Sequence, residues 1–220
     1  MDHLSPETRS PIRLGRHYTC WTRLIAGLVD NIFLLPSCST EDEVYVHVGG
    51  ANNVIVILIA GEGGVGKTTL VRSLVSGSYV PQKLTVGLSV ETWNYERGST
   101  RRRVTIMDAG GEERFQFLLP SWAKSAQGAI LAFDIGRFIS FLHLPEWLGL
   151  IQTAIPSDCI LLVGTKADIG EDREVPREHA EAFARDQNLI GYVETSAKMA
   201  INVREPFEML LEQLERRGRV

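Results

Sequence analysis

A glycine-rich segment of eight residues limits what this chain can fold into more than any other feature does. It follows an apolar run at Val54 to Ala60 and reads Gly61-Glu62-Gly63-Gly64-Val65-Gly66-Lys67-Thr68. The pattern GxxxxGK[ST] between a strand and a helix is typical of a phosphate-binding loop, or P-loop, whose backbone N–H groups surround phosphate at the positive end of the helix. We therefore expect these residues to bind the phosphates of a nucleotide. A glycine turn unrelated to nucleotides is the alternative.

Two polar side chains complete the expected chemistry of the P-loop. Lys67 would supply a cation to the β- and γ-phosphates, and Thr68 would place its hydroxyl on Mg²⁺. The next residue, Thr69, is also expected to bind the nucleotide. Because P-loops occur in ATPases and GTPases alike, the base has to be predicted from other residues.

Charge and cysteine content argue against two other kinds of function. The formal net charge is -4, so nothing indicates the basic face of a nucleic-acid-binding protein. The three cysteines, Cys20, Cys38 and Cys159, have neither paired spacing nor a CxxC pattern, which predicts neither a disulfide framework nor a zinc site. This cysteine usage fits a reducing cytosol.

The first 52 residues differ in pattern from the rest. Prolines and a polar stretch from Ser37 to Glu43 predict an N-terminal extension over residues 1–52 and one domain over residues 53–220. Within the extension, residues 21–35 have apolar side chains at helical spacing but are too few and too polar to span a membrane. The predicted amphipathic helix would be covered by the chain's own domain, by a partner's groove or by a membrane surface.

From residue 53 onward, strand-like runs alternate with helix-like runs, as in βα units around a largely parallel sheet. Only a short polar segment joins the second and third runs, so these two should form an antiparallel hairpin. We predict the α/β P-loop NTPase fold, in which a six-stranded mixed sheet lies between two layers of helices, giving three layers in the order αβα. The last helix is predicted from apolar residues at i, i+3, i+4 and i+7, namely Phe207, Leu210, Leu211 and Leu214. The predicted strands are Val54 to Ala60, Leu88 to Tyr95, Arg103 to Met107, Ala129 to Asp134, Cys159 to Val163 and Tyr192 to Glu194.

A second motif, Thr165-Lys166-Ala167-Asp168, follows the fifth predicted strand. It resembles the [NT]KxD element of the Ras superfamily of small GTPases. The resemblance implies that Asp168 accepts two hydrogen bonds from guanine, while the stem of Lys166 lies along the base. The segment containing Ser196, Ala197 and Lys198 looks like the loop of that family whose backbone N–H meets the guanine carbonyl.

The resemblance covers residues 53–216 and mixes subfamilies. The second half is Rab-like and Ras-like, Thr165 in place of asparagine is similar to Rho-type members, and Gly110-Gly111 is closer to the Arf and Gα form. The resemblance implies a molecular switch that binds GTP and GDP with Mg²⁺ and hydrolyses GTP. It also implies effector, exchange-factor and GTPase-activating proteins as partners.

Two segments look like the switch loops of the family. In Asp108-Ala109-Gly110-Gly111-Glu112, Asp108 would hold Mg²⁺ through water and the Gly111 N–H would bind the γ-phosphate. Thr85 would ligate Mg²⁺ only when the γ-phosphate is present, and Tyr79 falls where the family places an aromatic ring against guanine. A half-buried loop tyrosine is the alternative for Tyr79. The implied magnesium ligands are Thr68, Thr85 and Asp108, and the implied catalytic residues are Lys67, Thr85, Gly111 and Glu112.

Glu112 departs from the family, which has a glutamine there to orient the attacking water. A carboxylate cannot donate a hydrogen bond as an amide does, and its charge near the γ-phosphate is unfavourable unless it is protonated or paired. We therefore expect slow hydrolysis. Alternatively, Glu112 acts as a general base, swings away, or marks a module that binds GTP without hydrolysing it. A P-loop ATPase is a third class of function.

Two features bear on partners and location. No arginine lies between Tyr79 and Thr85, so an arginine finger is expected from a partner, and Gly63 leaves room for one. The chain ends without a cysteine and begins Met1-Asp2, which predicts no lipid anchor. The expected location is cytoplasmic, with peripheral membrane contact through residues 21–35 as an option.

Overall fold

The computed structural model describes residues 54–220 and, before them, the backbone of four two-residue strands. These strands pair antiparallel, β1 with β3 and β2 with β4. Their bounds are β1 Ile12–Arg13, β2 Ile32–Phe33, β3 Glu43–Val44 and β4 His47–Val48. The chain divides into two units, Met1–Ala51 and Asn52–Val220, and the predicted boundary lies at residue 52.

The predicted amphipathic helix over residues 21–35 lies outside the described residues except at Ile32–Phe33, which form a strand. The predicted linker, except Glu43 in β3, and two of the cysteines, Cys20 and Cys38, also lie outside the described residues. Among the helices that the structure describes, none is long and apolar enough to cross a membrane.

The second unit consists of one sheet and the helices that cover it. Its strands are β5 Val54–Ala60, β6 Leu88–Arg97, β7 Thr100–Ala109, β8 Gly128–Asp134, β9 Ile160–Thr165 and β10 Tyr192–Glu194. Its α-helices are α1 Lys67–Ser76, α2 Leu119–Ala123, α3 Phe138–Leu142, α4 Leu144–Gln152, α5 Arg177–Asp186 and α6 Glu205–Arg216. Short 3-10 helices cover Glu113–Leu118, Ser157–Cys159 and Ala167–Asp172.

The sheet confirms the predicted six-stranded mixed fold. Its strand order is β10-β9-β8-β5-β7-β6, and all neighbours are parallel except β6 and β7. The predicted hairpin is tighter than expected, because its ladder continues to the pair Arg97 and Thr100, leaving two residues in the turn. Ladder hydrogen bonds therefore form even where the side chains are polar and exposed, and the apolar pattern understated the length of both strands.

Burial explains why the central strands are the easiest to recognise in the sequence. Every residue of β8 and β9 is buried, because helices cover both faces of a parallel sheet and select continuous apolar runs. The predicted face of α6 is also confirmed, since Phe207, Leu210, Leu211 and Leu214 are all at most 1% exposed.

This topology brings the chemically interesting segments to one edge. Strands β5, β7, β8 and β9 are parallel neighbours, so their carboxyl ends lie side by side. The P-loop follows β5, Asp108 lies near the end of β7, and Thr165 ends β9. Ligands of open α/β sheets bind at such an edge.

Candidate nucleotide-binding site

The P-loop has a backbone that requires glycine. Gly61 has a φ of +137°, and a Cβ atom there would lie 2.1 Å from the backbone oxygen of Ala132 on the adjacent strand. Gly64 and Gly66, at φ +76° and +104°, also adopt the left-handed region. These conformations turn the chain from β5 directly into α1, as the motif predicted.

Lys67, the basic residue of the P-loop, is buried, with 5% of its surface exposed. Its Nζ donates hydrogen bonds to the backbone oxygens of Gly61 at 2.7 Å and Glu62 at 2.9 Å. Burial lowers the pKa of Lys67 to about 8, and the negative charge of Asp108 opposes this shift. An anion beside this ammonium group would favour its charged form.

The three residues predicted to bind magnesium lie in contact. The Oγ1 atom of Thr68 lies 2.5 Å from Oγ1 of Thr85 and donates to Oδ2 of Asp108 at 2.5 Å. Burial raises the pKa of Asp108 to about 6, although the hydrogen bond from Thr68 opposes this. Its other oxygen, Oδ1, is buried without a hydrogen-bond partner among residues 54–220. Oxygen ligands of this kind, one of them lacking a partner, fit Mg²⁺.

Two glycines let the predicted switch loops approach each other and the P-loop: a Cβ atom at Gly110 would lie 2.6 Å from the backbone oxygen of Thr85. The N–H of Gly110 donates to the backbone oxygen of Gly87 at 2.6 Å, which joins the two switches. A Cβ atom at Gly111 would lie 2.2 Å from the backbone nitrogen of Gly63 and 2.3 Å from the carbonyl carbon of Glu62. Neither position has room for a side chain, so the backbone of Gly111 lies against the loop expected to hold phosphate.

Glu112 forms an ion pair with its neighbour Arg114. The Nε atom of Arg114 lies 2.6 Å from Oε2 of Glu112, whose side chain is 30% exposed. The same guanidinium lies over the ring of Phe115, 4.8 Å from its centroid. The carboxylate of Glu112 is thus paired, which is one of the conditions under which its charge near a phosphate is less unfavourable.

The predicted base-binding residues form a second cluster. Ser196, which is fully buried, donates from Oγ to Oδ1 of Asp168 at 2.5 Å, and this hydrogen bond lowers the pKa of Asp168. The ammonium group of Lys198 lies 3.7 Å from Oδ2 of the same carboxylate. The N–H of Ala167 donates to the oxygen of Thr195 at 3.0 Å, so the two predicted base-binding loops are bonded to each other.

Thr165 connects this cluster to the P-loop. Its hydroxyl lies 2.5 Å from the backbone oxygen of Val65 and 2.9 Å from that of Phe133. Threonine therefore suffices to bond the base-binding loop to the P-loop at the position where the family usually has asparagine. Lys166 has a φ of +63° and an ion pair with Asp134 at 2.5 Å.

The remaining predicted residues are less tightly placed. Tyr79 is 44% exposed and belongs to residues 79–86, which form neither helix nor strand. Thr69 is half-buried on α1, and Ala197 is half-buried beside Ser196. Their roles stay predictions.

Sequence reasoning missed a group on the outside of the P-loop. The side chain of Glu62 forms an ion pair with Arg137, with 3.6 Å between Oε1 and Nη2, and lies 3.2 Å from Nδ1 of His143. Arg137 also donates from Nη2 to the backbone oxygen of Gly63 at 2.8 Å. The only signal available was an arginine soon after the carboxyl end of a predicted strand, which no motif identifies.

The fold and the loop together define a P-loop nucleotide-binding protein. Comparison with known proteins narrows the class. The Ras family model matches residues 55–216. The Ras-related protein Rab-30 of Homo sapiens and its counterparts from Bos taurus and Mus musculus are each 39% identical over 153 residues, covering 69% of this chain and 75% of each relative. The chain therefore belongs to the Ras family of small GTPases, which are guanine-nucleotide-binding switches.

Proposed function

We propose that this chain is a GTP- and GDP-binding switch that hydrolyses GTP slowly in the presence of Mg²⁺. The observation that carries the proposal is the contact of Thr68 in the P-loop with Asp108 near the end of β7 and with Thr85 of the irregular segment. A metal ion and a γ-phosphate at this point would interact with all three elements. Loss of the γ-phosphate would release Thr85, which is how such switches change state.

The residues of the chain have distinct roles in this proposal. Thr68, Thr85 and Asp108 hold Mg²⁺, which when bound offsets the charge of the β- and γ-phosphates. Lys67 contacts those two phosphates, and the N–H groups of residues 61–69 surround them. The Gly111 N–H binds the γ-phosphate. Because phosphoryl transfer requires mainly positioning and charge stabilisation, these contacts account for most of the expected catalysis.

Guanine selectivity is assigned to the second cluster. Asp168 would accept hydrogen bonds from the base, and the hydrogen bond from Ser196 keeps its carboxylate charged and oriented. Thr165, Lys166, Ala197 and Lys198 complete this part of the site, and Tyr79 would cover the base once the nucleotide is bound.

The ion pair of Glu112 supports slow hydrolysis. The carboxylate bonded to Arg114 can accept a proton from water, but it cannot donate toward the γ-phosphate as glutamine does. Pairing with Arg114 also reduces the repulsion between Glu112 and the phosphates. A GTPase-activating partner would then supply what this position lacks.

Single-turnover GTP hydrolysis with Mg²⁺ tests the proposal, with Glu112→Gln as the variant. We expect slow conversion to GDP in the native protein and a rate about tenfold higher in Glu112→Gln, because glutamine can donate toward the γ-phosphate. Glu113→Gln is the matched control, because it removes the adjacent exposed carboxylate and leaves the pair with Arg114 intact. Equal rates in all three proteins would remove Glu112 from the mechanism.

The same ion pair favours a second candidate function, a module that holds GTP permanently. In that case GTP stays intact in the native protein, whereas Glu112→Gln converts it. If both proteins retain GTP without hydrolysing it, the site binds GTP but does not catalyse its hydrolysis.

Partners and location are proposed only in general terms. Effector, exchange-factor and GTPase-activating proteins would contact the switch segment, where Leu84 and Val86 are 65% and 50% exposed. A cytoplasmic location, with peripheral membrane contact through residues 21–35, rests on the sequence alone.

A further inference from the structure

Hydrogen bonds to the backbone of Arg137 fix the position of this residue. It follows β8 in a tight turn in which its N–H donates to the backbone oxygen of Asp134 at 3.0 Å. Its backbone oxygen accepts a hydrogen bond from the Ser140 hydroxyl at 2.7 Å. The Cα atom is therefore fixed beside the P-loop, and only the side chain is free to change direction.

The side chain of Arg137 lies along the rim of the P-loop. Its Nη2 contacts the backbone oxygen of Gly63 and the carboxylate of Glu62, and its Nη1 would lie 3.8 Å from a Cβ atom on Gly64. Its Nε atom is buried and has no hydrogen-bond partner among residues 54–220. A guanidinium has five N–H donors, so this one still has donors to offer to an anion.

The rim position is close to where the γ-phosphate is expected. Gly111, whose N–H is assigned to that phosphate, packs against Glu62 and Gly63, the same two residues that Arg137 contacts. The ammonium group of Lys67 donates to the backbone oxygen of Glu62, and Arg137 contacts the carboxylate of the same residue. Two cations thus lie near each other, an arrangement that a polyphosphate would stabilise.

We propose that Arg137 is a phosphate-binding residue that acts within the chain: Glu62 holds its guanidinium at the rim of the P-loop, and the terminal phosphate of GTP draws it inward. This inference rests on the proposed function. It places an arginine of this chain near the terminal phosphate, whereas the sequence, with no arginine between Tyr79 and Thr85, predicted that an arginine finger would come from a partner.

The test compares a diphosphate with a triphosphate. Dissociation of fluorescent GDP and of a fluorescent, non-hydrolysable GTP analogue with a β–γ imido bridge is measured with Mg²⁺ for the native protein, Arg137→Gln and Arg137→Lys. Glutamine keeps an N–H donor but has no charge. We expect the analogue to dissociate about tenfold faster from Arg137→Gln, as for loss of one charged hydrogen bond, while GDP changes less than about threefold. Arg137→Lys should recover part of the loss.

Arg185→Gln is the matched control, because Arg185 is an exposed arginine on α5. It should leave both dissociation rates unchanged. Equal acceleration of both nucleotides in Arg137→Gln would show that Arg137 only supports the loop through Gly63 and would overturn the inference. No change in either rate would overturn it as well. A native protein that binds neither nucleotide would overturn the proposed function and this inference together.

Glu62→Gln provides an independent measurement if Arg137→Gln folds poorly. Freed from its carboxylate partner, Arg137 should hold the GTP analogue several-fold longer, a gain that is measured without any Arg137 variant. Where Arg137→Gln does fold, the gain should vanish in the Glu62→Gln, Arg137→Gln double variant. Faster dissociation of both nucleotides from Glu62→Gln would instead indicate that the ion pair supports the loop, which contradicts the proposal.

Discussion

The base-binding end and the switch end of the site are built differently. At the base-binding end, the buried hydroxyl of Ser196 donates to Asp168, and the buried hydroxyl of Thr165 donates to the backbone of the P-loop. At the switch end, residues 79–86 have no regular structure, and contacts of Thr85 and Gly87 attach this segment to the rest of the site. We infer that the first end binds guanine in every state, whereas the second responds to one phosphate.

The largest expected effect is at the base-binding end, with Asp168→Asn. Because the carboxylate proposed to accept two hydrogen bonds from guanine would be replaced by an amide that cannot accept both, GDP affinity should fall by roughly 10²–10⁴-fold. Competition between GDP and ATP for the site measures this change and the lost discrimination between bases. Asp186→Asn at the exposed end of α5 is the control. Unchanged GDP affinity in Asp168→Asn would remove the distinction between the two ends.

An intermediate effect is expected at the switch end, with Gly111→Ala. The new Cβ atom would collide with the backbone of Glu62 and Gly63, so the switch has to move away from the P-loop. Preference for the GTP analogue over GDP should fall about tenfold, as expected for overpacking, while GDP binding persists. Dissociation rates of both nucleotides provide the measurement.

Gly149→Ala is the matched control for this variant. Gly149 lies on α4, and a Cβ atom there would meet nothing within 4 Å. It should leave both rates unchanged and raise helix stability slightly. Equal weakening of GDP and of the analogue in Gly111→Ala would show that the two ends are not independent.

The smallest expected effect is on the free energy of unfolding, with Ala200→Gly. Ala200 lies in the loop after Ser196 with a φ of +55°, which costs an L-residue more than it costs glycine. The variant should be more stable by about 0.5–1 kcal/mol, because the strain it relieves, roughly 1–2 kcal/mol, exceeds the added entropy of its unfolded chain. Thermal unfolding measures the change. Ala182→Gly within α5 should destabilise by about 1 kcal/mol, and the same sign in both variants would contradict the assigned strain.

Much of the fold could be predicted because its signals are local. The continuous apolar runs of β8 and β9 and the spacing on α6 reflect burial on both faces of a sheet or on one face of a helix. The ends of the β6–β7 hairpin could not be predicted as well, because backbone pairing continues through exposed arginines. The family assignment, predicted from motifs, is confirmed by the comparisons.

The candidate site divides in the same way. The sequence by itself determined which residues form the P-loop and which motifs resemble guanine-binding loops, because these functions depend on neighbouring backbone groups and short spacings. Only the tertiary structure decided that Glu112 pairs with Arg114, that Thr165 bonds the P-loop, and that Arg137 lies on Glu62 and Gly63. For the last two, the physical reason is distance along the chain: these partners are brought together by the parallel strands of the sheet. For Glu112 and Arg114, only two residues apart, it is the conformation of the chain that brings the charged groups together.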